Sequence, residues 1–551
     1  MRHVYSTYSQ CNDAYDGVSM TREFLTRRSV LSAAGTAGMG FALAGCGAVA
    51  NYPDSWNDIS TGNGEPNRGG VLHYGLSTEP VNFEPHVSSG AASDVIRQML
   101  YNGLLQYDPD GEIVPDLALE HGWAGDTAYR VKIRTDVRFH DGSKMTASDV
   151  VFSMRRIIDP DTSSTAAPLF RSVERVDASS SDTIVFTLRE PDRAFPFALA
   201  DPCANVISKQ WIESGADPLL EVMGTGPFTF VERVPGVSIV IERFDDYFVP
   251  ELPYLNAIEF TPMEDDYARV TALRTATVDM IDYIPSTHVD VIENNSQLEV
   301  YSDSVFGFGV LGFVTSRPPF DDKRVRQAVA CSIDRDAALE TAFLGHGRPI
   351  TGGLVPDEVA PYASQLEGAV EYDPERASHL LRKAGRDDLD LSIITTSSYS
   401  VISRPAEAML PSLQESVVNP RLTRQEWLSF QETVEAKKYP SFAWGTSLKF
   451  GHPAALSEVV ASGSRWAKFM DFNDKRTDDL LAEARRSKNT SLSNELFMEV
   501  EKRVLDEMPL TYTLRRIQGE ASHKYVRGFS HPPKGAWTQV SLRGVWLEEE
   551  R

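Results

Sequence analysis

The sequence predicts an α/β protein of several domains, and three observations carry that prediction. At about 100–200 residues per domain, a chain of 551 residues holds three or four units. Its composition, 42% hydrophobic and 10% aromatic, is rich enough to bury a large core. From Gly69 onward, short β-rich runs bounded by turn residues interleave with amphipathic helical stretches.

In order along the chain, Val71 to Leu76 reads as a strand, and Ala92 to Leu105 as a helix with Val95, Met99 and Leu100 on one face. Tyr129 to Arg134 alternates as a strand, Asp141-Gly142 makes a turn, and Ala147 to Ile158 is a helix capped by Thr146 or Ser148. Thr183 to Leu188, Phe228 to Glu232, Ser238 to Arg243 and Ala257 to Thr261 are further strands. Asp322 to Leu344, Pro374 to Ala384, Arg404 to Ser416, Ser429 to Ala436, Thr477 to Ser487 and Ser493 to Asp506 read as helices. No repeat of about 20–50 residues recurs, which excludes a solenoid or propeller.

Lys+Arg total 54 against Asp+Glu 78, a net charge of −24. That excess, without a basic face, argues against a nucleic-acid partner.

Near the start, Thr26-Arg27-Arg28-Ser29-Val30-Leu31 precedes an uncharged stretch to Ala44. Paired arginines, Arg27 and Arg28, before an apolar segment mark the twin-arginine export route. The segment is too short and too rich in Ala and Gly for a membrane span of about 20 residues. It closes on Leu43-Ala44-Gly45-Cys46, which resembles the lipobox of bacterial lipoproteins and makes Cys46 the acylated first mature residue. Residues 1–46 are therefore expected to be a lipoprotein signal, with Met1 and Met20 as alternative starts, and 47–68, poor in apolar positions, a flexible tether. Of the four cysteines, Cys11 and Cys46 fall in the processed region, which leaves Cys203 and Cys331 as expected buried thiols.

Catalytic signatures are missing: there is no His-Glu-x-x-His, Gly-x-Ser-x-Gly, Gly-x-x-x-x-Gly-Lys or Cys-x-x-Cys. His140-Asp141 reads as a turn after a strand, and Glu264-Asp265-Asp266 and Asp387-Asp388 as solvated acidic turns. No cofactor, no metal and no enzymatic activity are expected. Tyr399, Trp427, Phe442, Trp444 and Phe450 lie in a Gly- and Ser-rich part of the second half, the composition of a concave ligand site or of a packed core.

Several blocks then carry a resemblance. Tyr101-Asn102-Gly103-Leu104-Leu105, Pro115-Asp116-Leu117-Ala118 and the run Phe139 to Ser153 stand in order. They are followed by Gly224-Thr225-Gly226-Pro227-Phe228, Asp246-Tyr247-Phe248, Asp279-Met280-Ile281, Phe320 to Ala328, Tyr372 to Ala377 and Met508-Pro509-Leu510. On these the chain, from Gly69 to its end, resembles the family-5 extracellular solute-binding proteins of ABC importers, which take oligopeptides, dipeptides or nickel. The resemblance implies a two-lobed periplasmic-binding-protein-like fold with a cleft between the lobes. Lobe I would comprise 69–283 plus 510–551, with an inserted subdomain at about 86–200, and lobe II 284–509, with crossings near Ile281 to Pro285 and near Pro509.

It further implies a monomeric, lipid-anchored extracytoplasmic receptor that passes a small solute to an ABC permease. In the family's oligopeptide binders an aspartate shortly after a lobe II tryptophan pairs with the peptide's amino group, and backbone beside that tryptophan pairs with the peptide. Here the segment runs Ser441 to Pro453, the aspartate position is Ser447, and Lys449 and His452 are the charged or titratable residues present. The ammonium anchor is absent. Gln425-Glu426-Trp427 matches a segment whose tryptophan lines the pocket, so Trp427, Trp444, Gly445, Thr446, Ser447 and Tyr399 are the expected contacts, faced by Gly90 and Ala91 from lobe I. Peptide-like solutes come first, with sugars, opine-like compounds or metal chelates behind. A sensor passing its closed state to a signalling partner is the alternative on the same scaffold.

Overall fold

Strict alternation of buried and exposed residues dictates many of the strands, because a period of two places every second side chain on one face. Tyr129, Val131 and Ile133 are buried on one strand and Ile184, Phe186 and Leu188 on its neighbour. The computed structural model describes residues 65–87, 90–108, 111–304, 307–416, 418–448, 450–531 and 542–548. The chain divides into Met1–Val49 and Ala50–Arg551, and all that follows concerns the second unit. Arg27, Arg28, Cys46, the tether up to residue 64 and Lys449 lie outside the described residues.

Along the chain run β1 (Val71–Leu76), α1 (Ala91–Leu100), β2 (Ala118–Trp123), β3 (Ala128–Ile133), α2 (Ala147–Ile158), β4 (Val173–Ala178) and β5 (Thr183–Leu188). Then come β6 (Phe228–Val234), β7 (Ser238–Arg243), β8 (Ala257–Pro262), α3 (Asp266–Arg274), β9 (Met280–Ile281), β10 (Leu298–Ser304), β11 (Gly307–Phe313), α4 (Lys323–Cys331), α5 (Arg335–Phe343) and β12 (Gly347–Pro349). They are followed by α6 (Pro374–Lys383), β13 (Leu389–Thr396), α7 (Ser400–Ala408), α8 (Leu410–Glu415), β14 (Val418–Gln425), α9 (Trp427–Glu435) and β15 (Ser441–Ser447). The chain closes through α10 (Arg465–Met470), α11 (Lys475–Arg486), α12 (Thr490–Glu507), β16 (Leu510–Tyr512) and β17 (Leu514–His523). The mixture is α/β, as expected.

Three sheets organise these elements. The first has the order β10-β17-β9-β1-β8-β7-β6, with β12 added on β17, and β1 lies parallel to both β8 and β9. The second has the order β14-β13-β15-β11-β16. The third, β2-β3-β5-β4, is antiparallel and is built from residues inserted between β1 and β6. Strand β10, in the stretch that the resemblance assigns to lobe II, pairs along its whole length with β17 of the first sheet. Strand β16, assigned by the same expectation to lobe I, pairs with β11 of the second.

Each sheet is packed by its helices. Val95, Ile96, Met99 and Leu100 of α1 bury against Tyr74, Phe228 and Phe260 of the first sheet. Leu311, Phe313, Leu391 and Ile393 meet Val325 and Val329 of α4 on one face of the second. Its other face carries Phe308, Val310, Phe442 and Trp444 in a cluster continuous with the core of the inserted subdomain.

Two expected helices are broken in the structure. The stretch from Asp322 to Leu344 splits into α4 and α5, because the Asp334 side chain accepts the Ala337 N–H at 2.9 Å and starts a new helix. The stretch from Arg404 to Ser416 becomes α7, which begins earlier and contains Pro405, and α8, which has a proline in its first turn. The other expected strands and helices are present with shifts of a few residues at their ends. Cys203 and Cys331 are buried free thiols. Thr146 caps α2, its N–H and hydroxyl donating to Asp149 at 2.8 and 2.6 Å. Asp265 caps α3, accepting the Ala268 N–H at 2.8 Å, so the acidic run there has a structural role.

Gly312, in the middle of β11, has no room for a side chain: a Cβ there would sit 2.3 Å from the Phe442 ring. Gly312→Ala should lower stability by about 1–3 kcal/mol through overpacking. A urea titration should show a lower midpoint with an unchanged slope, and an unchanged midpoint would show that Phe442 yields freely.

Candidate functional site

The backbone passes between the first two sheets at two places, and everything at the site is positioned by them. It leaves the first sheet at Ser304, opposite Ile517, and enters the second at Gly307, opposite Ser447. It returns between Tyr512 of β16 and Leu514 of β17. Gly309, the partner of Gly445, lies so close to the return that a Cβ on it would be 2.7 Å from Thr513 Oγ1. The end of β15 and the start of β17 therefore lie side by side next to β11. The carboxyl ends of β1 and β9 meet at the same edge of the first sheet, where Asp282 accepts the Ser77 N–H at 2.6 Å and its hydroxyl at 3.1 Å. In open α/β sheets ligands bind beyond such strand ends.

Buried arginines hold backbone at the return crossing and in the stretches that lead into the neighbouring strands. Arg269 donates to the carbonyls of Met263 at 2.7 Å, Asp282 at 3.2 Å and Tyr283 at 2.9 Å. Arg326 donates to Glu507 at 3.1 Å, Met508 at 3.0 Å and Phe320 at 2.6 Å, and Arg335 to the Tyr512 carbonyl at 3.0 Å and Thr511 Oγ1 at 2.8 Å. Burial pushes the Asp282 carboxyl up to about 7 against the pull of Arg269.

The expected aromatic contacts come together. Trp427 opens α9, its N–H donating to Ser398 Oγ at 3.1 Å while Glu426 caps the helix through the Leu428 N–H at 3.0 Å. Its ring meets Tyr399 edge-on at 4.9 Å and Trp444 at 5.2 Å. Tyr399 is 43% exposed and Trp427 half-buried, whereas Trp444 is buried beneath them against Phe430 at 4.7 Å and Phe469 at 5.6 Å. The platform thus has an open upper surface and a packed base. Phe430, Trp466 and Phe469, which sequence reasoning did not single out, supply that base.

Gly445, Thr446 and Ser447 continue β15 beyond Trp444 and are half-buried. On one side they pair with Gly309, Phe308 and Gly307. On the other side, strand pairing with β13 stops at Ile394 opposite Phe442. A Cβ on Gly445 would meet Ile402 of α7 at 3.3 Å. His452 turns away from this edge: its ring stands 4.8 Å from Phe197 and 5.8 Å from Phe497.

Gly90 and Ala91 begin α1 from the first sheet's side. Gly90 has φ 119°, which disfavours any residue with a Cβ, and it is exposed. Glu84 and His86, earlier in the chain, are pinned by buried charge. Glu84 accepts from Arg156 at 2.6 Å and from the His86 N–H at 2.8 Å, and Arg97 donates to the Glu84 carbonyl at 3.3 Å. Arg156 also donates to His86 Nδ1 at 2.8 Å, so Nε2 carries the hydrogen bonded to the Asn205 carbonyl at 2.9 Å. Burial lowers the His86 pKa to about 3, consistent with a neutral ring.

The inserted subdomain touches the 307–512 segment directly. Asp192 pairs with Arg485 through two bonds of 3.1 and 2.8 Å, and the Arg193 N–H donates to the Arg485 carbonyl at 2.7 Å. Glu190 pairs with Arg486 and Asp126 with Lys488, and Phe197 stacks on Phe450 at 5.4 Å. Separately, a polar hollow of about 210 Å³ lies among Arg68, Arg243 and the turn 244–252, and contains none of the expected contacts. Among the described residues no cluster of three or more His, Cys, Asp or Glu is placed to hold a metal ion, and no helix is long and apolar enough to cross a membrane.

Comparison with known proteins gives a consistent picture. The model of the bacterial extracellular solute-binding proteins, family 5 middle region, matches residues 112–468. The glutathione-binding protein GsiB of Pectobacterium atrosepticum is 25% identical over 466 residues, 81% of this chain and 89% of that protein. GsiB of Escherichia coli K12 is 25% identical over 460 residues, again 81% and 89%. Among solved structures, the binding protein AgaA of A. tumefaciens R10, in complex with agropinic acid, superposes with a TM-score of 0.79 at 28% identity, covering 88% of this chain and 99% of that one. The Helicobacter pylori protein DppA, in complex with the peptide STSA, superposes with a TM-score of 0.76 at 20% identity over 88% and 99%, a likeness of fold.

If the two sheets move apart, the Asp192–Arg485 pair and the Phe197 contacts have to break. Asp192→Ala should therefore enlarge the unliganded protein, read as a greater radius of gyration in small-angle scattering. Burial, then Arg485, lowers the His452 pKa to about 4. Protons bind His452 more readily once it leaves that contact, so the contact is fully favoured above the ordinary histidine value of about 6.5 and is lost as pH falls towards 4. Acidification should expand wild type more than His452→Phe; equal responses would assign the transition to other groups.

Proposed function

The chain belongs to the family-5 bacterial extracellular solute-binding proteins, and on that premise we propose that it captures a small solute in the gap between its first two sheets and delivers it to an ABC permease. The observation that carries this reading is the half-open aromatic platform of Tyr399, Trp427 and Trp444 beside a strand whose pairing with β13 ends at Phe442. Rings of this kind hold the apolar or planar part of a solute. The free side of Gly445 to Ser447 offers backbone groups to an extended one, in the manner of an added strand. Gly90 and Ala91 face the solute from the other lobe.

A peptide-like solute fits this arrangement best, and the compounds named for the relatives, glutathione and agropinic acid, set the neighbouring chemistry to be tried. The lobes are built around the first and second sheets, with the two crossings as hinge. Solute stabilises the closed form by its greater affinity for it, and the permease docks on that form. The protein performs no catalysis, acts as a monomer, and stands on the outer face of the membrane after twin-arginine export through Arg27 and Arg28, held by acyl chains on Cys46.

Two measurements test this. A solute at 100 times its Kd adds about 2.7 kcal/mol to the folded state, so a thermal-shift screen of peptides, opines, sugars and chelates should find it. Trp427→Ala should then weaken binding about 10- to 100-fold in calorimetry without loss of fold. Unchanged affinity would move the site away from this platform. Cys46→Ser should shift the protein from the membrane to the soluble fraction, and retention on the membrane would refute the acyl anchor.

A further inference from the structure

Arg516 stands apart from the other arginines. Among the described residues, every other buried or half-buried arginine donates to a carbonyl, a carboxylate or another acceptor, as Arg269, Arg326, Arg335 and Arg485 do. Arg516 is half-buried, its backbone pairs with Gly347, and its side chain has neither a hydrogen bond nor an ion pair among the described residues. Its contact is with an aromatic ring: the guanidinium lies 5.4 Å from the centroid of Tyr283. A half-buried guanidinium loses part of its hydration, and five N–H donors left unused there are costly. Stacking on a ring occupies the face of the group and leaves its in-plane donors free, the disposition that suits a bidentate oxyanion.

Its position is that of the solute gap. Arg516 adjoins Ile517, which pairs with Ser304, the last residue of the first sheet before the chain enters the second at Gly307 opposite Ser447. From Ile517 to Ser447 the route is one strand pairing, three residues and one strand pairing, so the two lie within about 20 Å of each other. Tyr283 itself is held by Arg269 through its carbonyl at 2.9 Å and has φ 47°, a fixed platform just past the carboxyl end of β9. At the far side of the gap, Gly445 to Ser447 carry no acidic side chain to demand a cationic group.

We propose that Arg516, stacked on Tyr283, binds a carboxylate of the solute, and that the receptor is therefore selective for solutes with a free acid group. The proposal rests on the reading that the solute lies between the two sheets. Its apolar or extended part would then reach Trp427 while the acid end is held at the crossing.

Glutathione, Met-Leu and agropinic acid, each as the free acid and as its amide or ethyl ester, would be titrated calorimetrically into the full-length receptor and its Arg516→Gln, Arg516→Lys and Trp427→Ala variants. The expected result is binding of at least one free acid, loss of about 10- to 100-fold on esterification, and a similar loss in Arg516→Gln that esterification does not deepen. Arg516→Lys should recover part of the affinity. Unliganded melting temperatures of the two Arg516 variants should stay close to wild type, since the Arg516 side chain makes no hydrogen bond or ion pair within the fold. Equal affinity for acid and ester, an unaffected Arg516→Gln, or no binding of any free acid would overturn the proposal. Loss in Trp427→Ala with Arg516→Gln unaffected would retain the gap as the site and remove the anion anchor.

Discussion

The molecule depends on carrying its backbone twice between two sheets without leaving the polar groups of the crossings unsatisfied. A chain that leaves a sheet gives up its ladder of hydrogen bonds, and a buried carbonyl without a donor costs about 1–3 kcal/mol. Here the donors are arginines that are themselves buried: Arg269 for Asp282 and Tyr283, Arg326 for Glu507 and Met508, Arg335 for Tyr512. Each charge is spread over several carbonyls from different segments; Arg335 holds the return crossing at Tyr512, while Arg269 and Arg326 hold the backbone that precedes the strands on either side. The placement of the candidate site between the sheets follows from those fixed points.

The site is assembled from parts that are individually ordinary. A strand that loses one neighbour after Phe442 exposes an edge, and a helix capped by Glu426 places Trp427 above Trp444. Phe430, Phe469 and Trp466 make the floor rigid, so the half-exposed Tyr399 and Trp427 can present their surfaces without collapsing on each other. On the first sheet, Glu84, His86 and Arg156 bind one another ahead of α1. An aromatic surface of this kind is preorganised, and preorganisation lowers the entropic cost of binding in general.

What was legible in the sequence was what local pattern determines. The strands Thr183–Leu188 and Ser238–Arg243 have the bounds that alternation predicts, because one face of each is buried. The helix break at Ser332 to Asp334 was missed because the apolar period continues across it, although Asp334 is a strong cap in its own right. The aromatic residues Tyr399, Trp427 and Trp444, picked out in the sequence, do meet in one cluster, yet their packing partners come from segments far along the chain. The membership of β10 in the first sheet and the isolation of Arg516 rest on non-local pairing, for which no local signal exists.

The account's central claim is that a solute is held between the two sheets, at the ends of β15 and β17. Hydrogen–deuterium exchange with and without the solute that gives the largest thermal shift tests it most directly. Protection should appear at Ala443 to Ser447, around Tyr399 and Trp427, at Tyr283, and at the return crossing from Leu514 to Ile517. Protection confined to the inserted subdomain or to the hollow beside Arg243, with these segments unchanged, would contradict the claim.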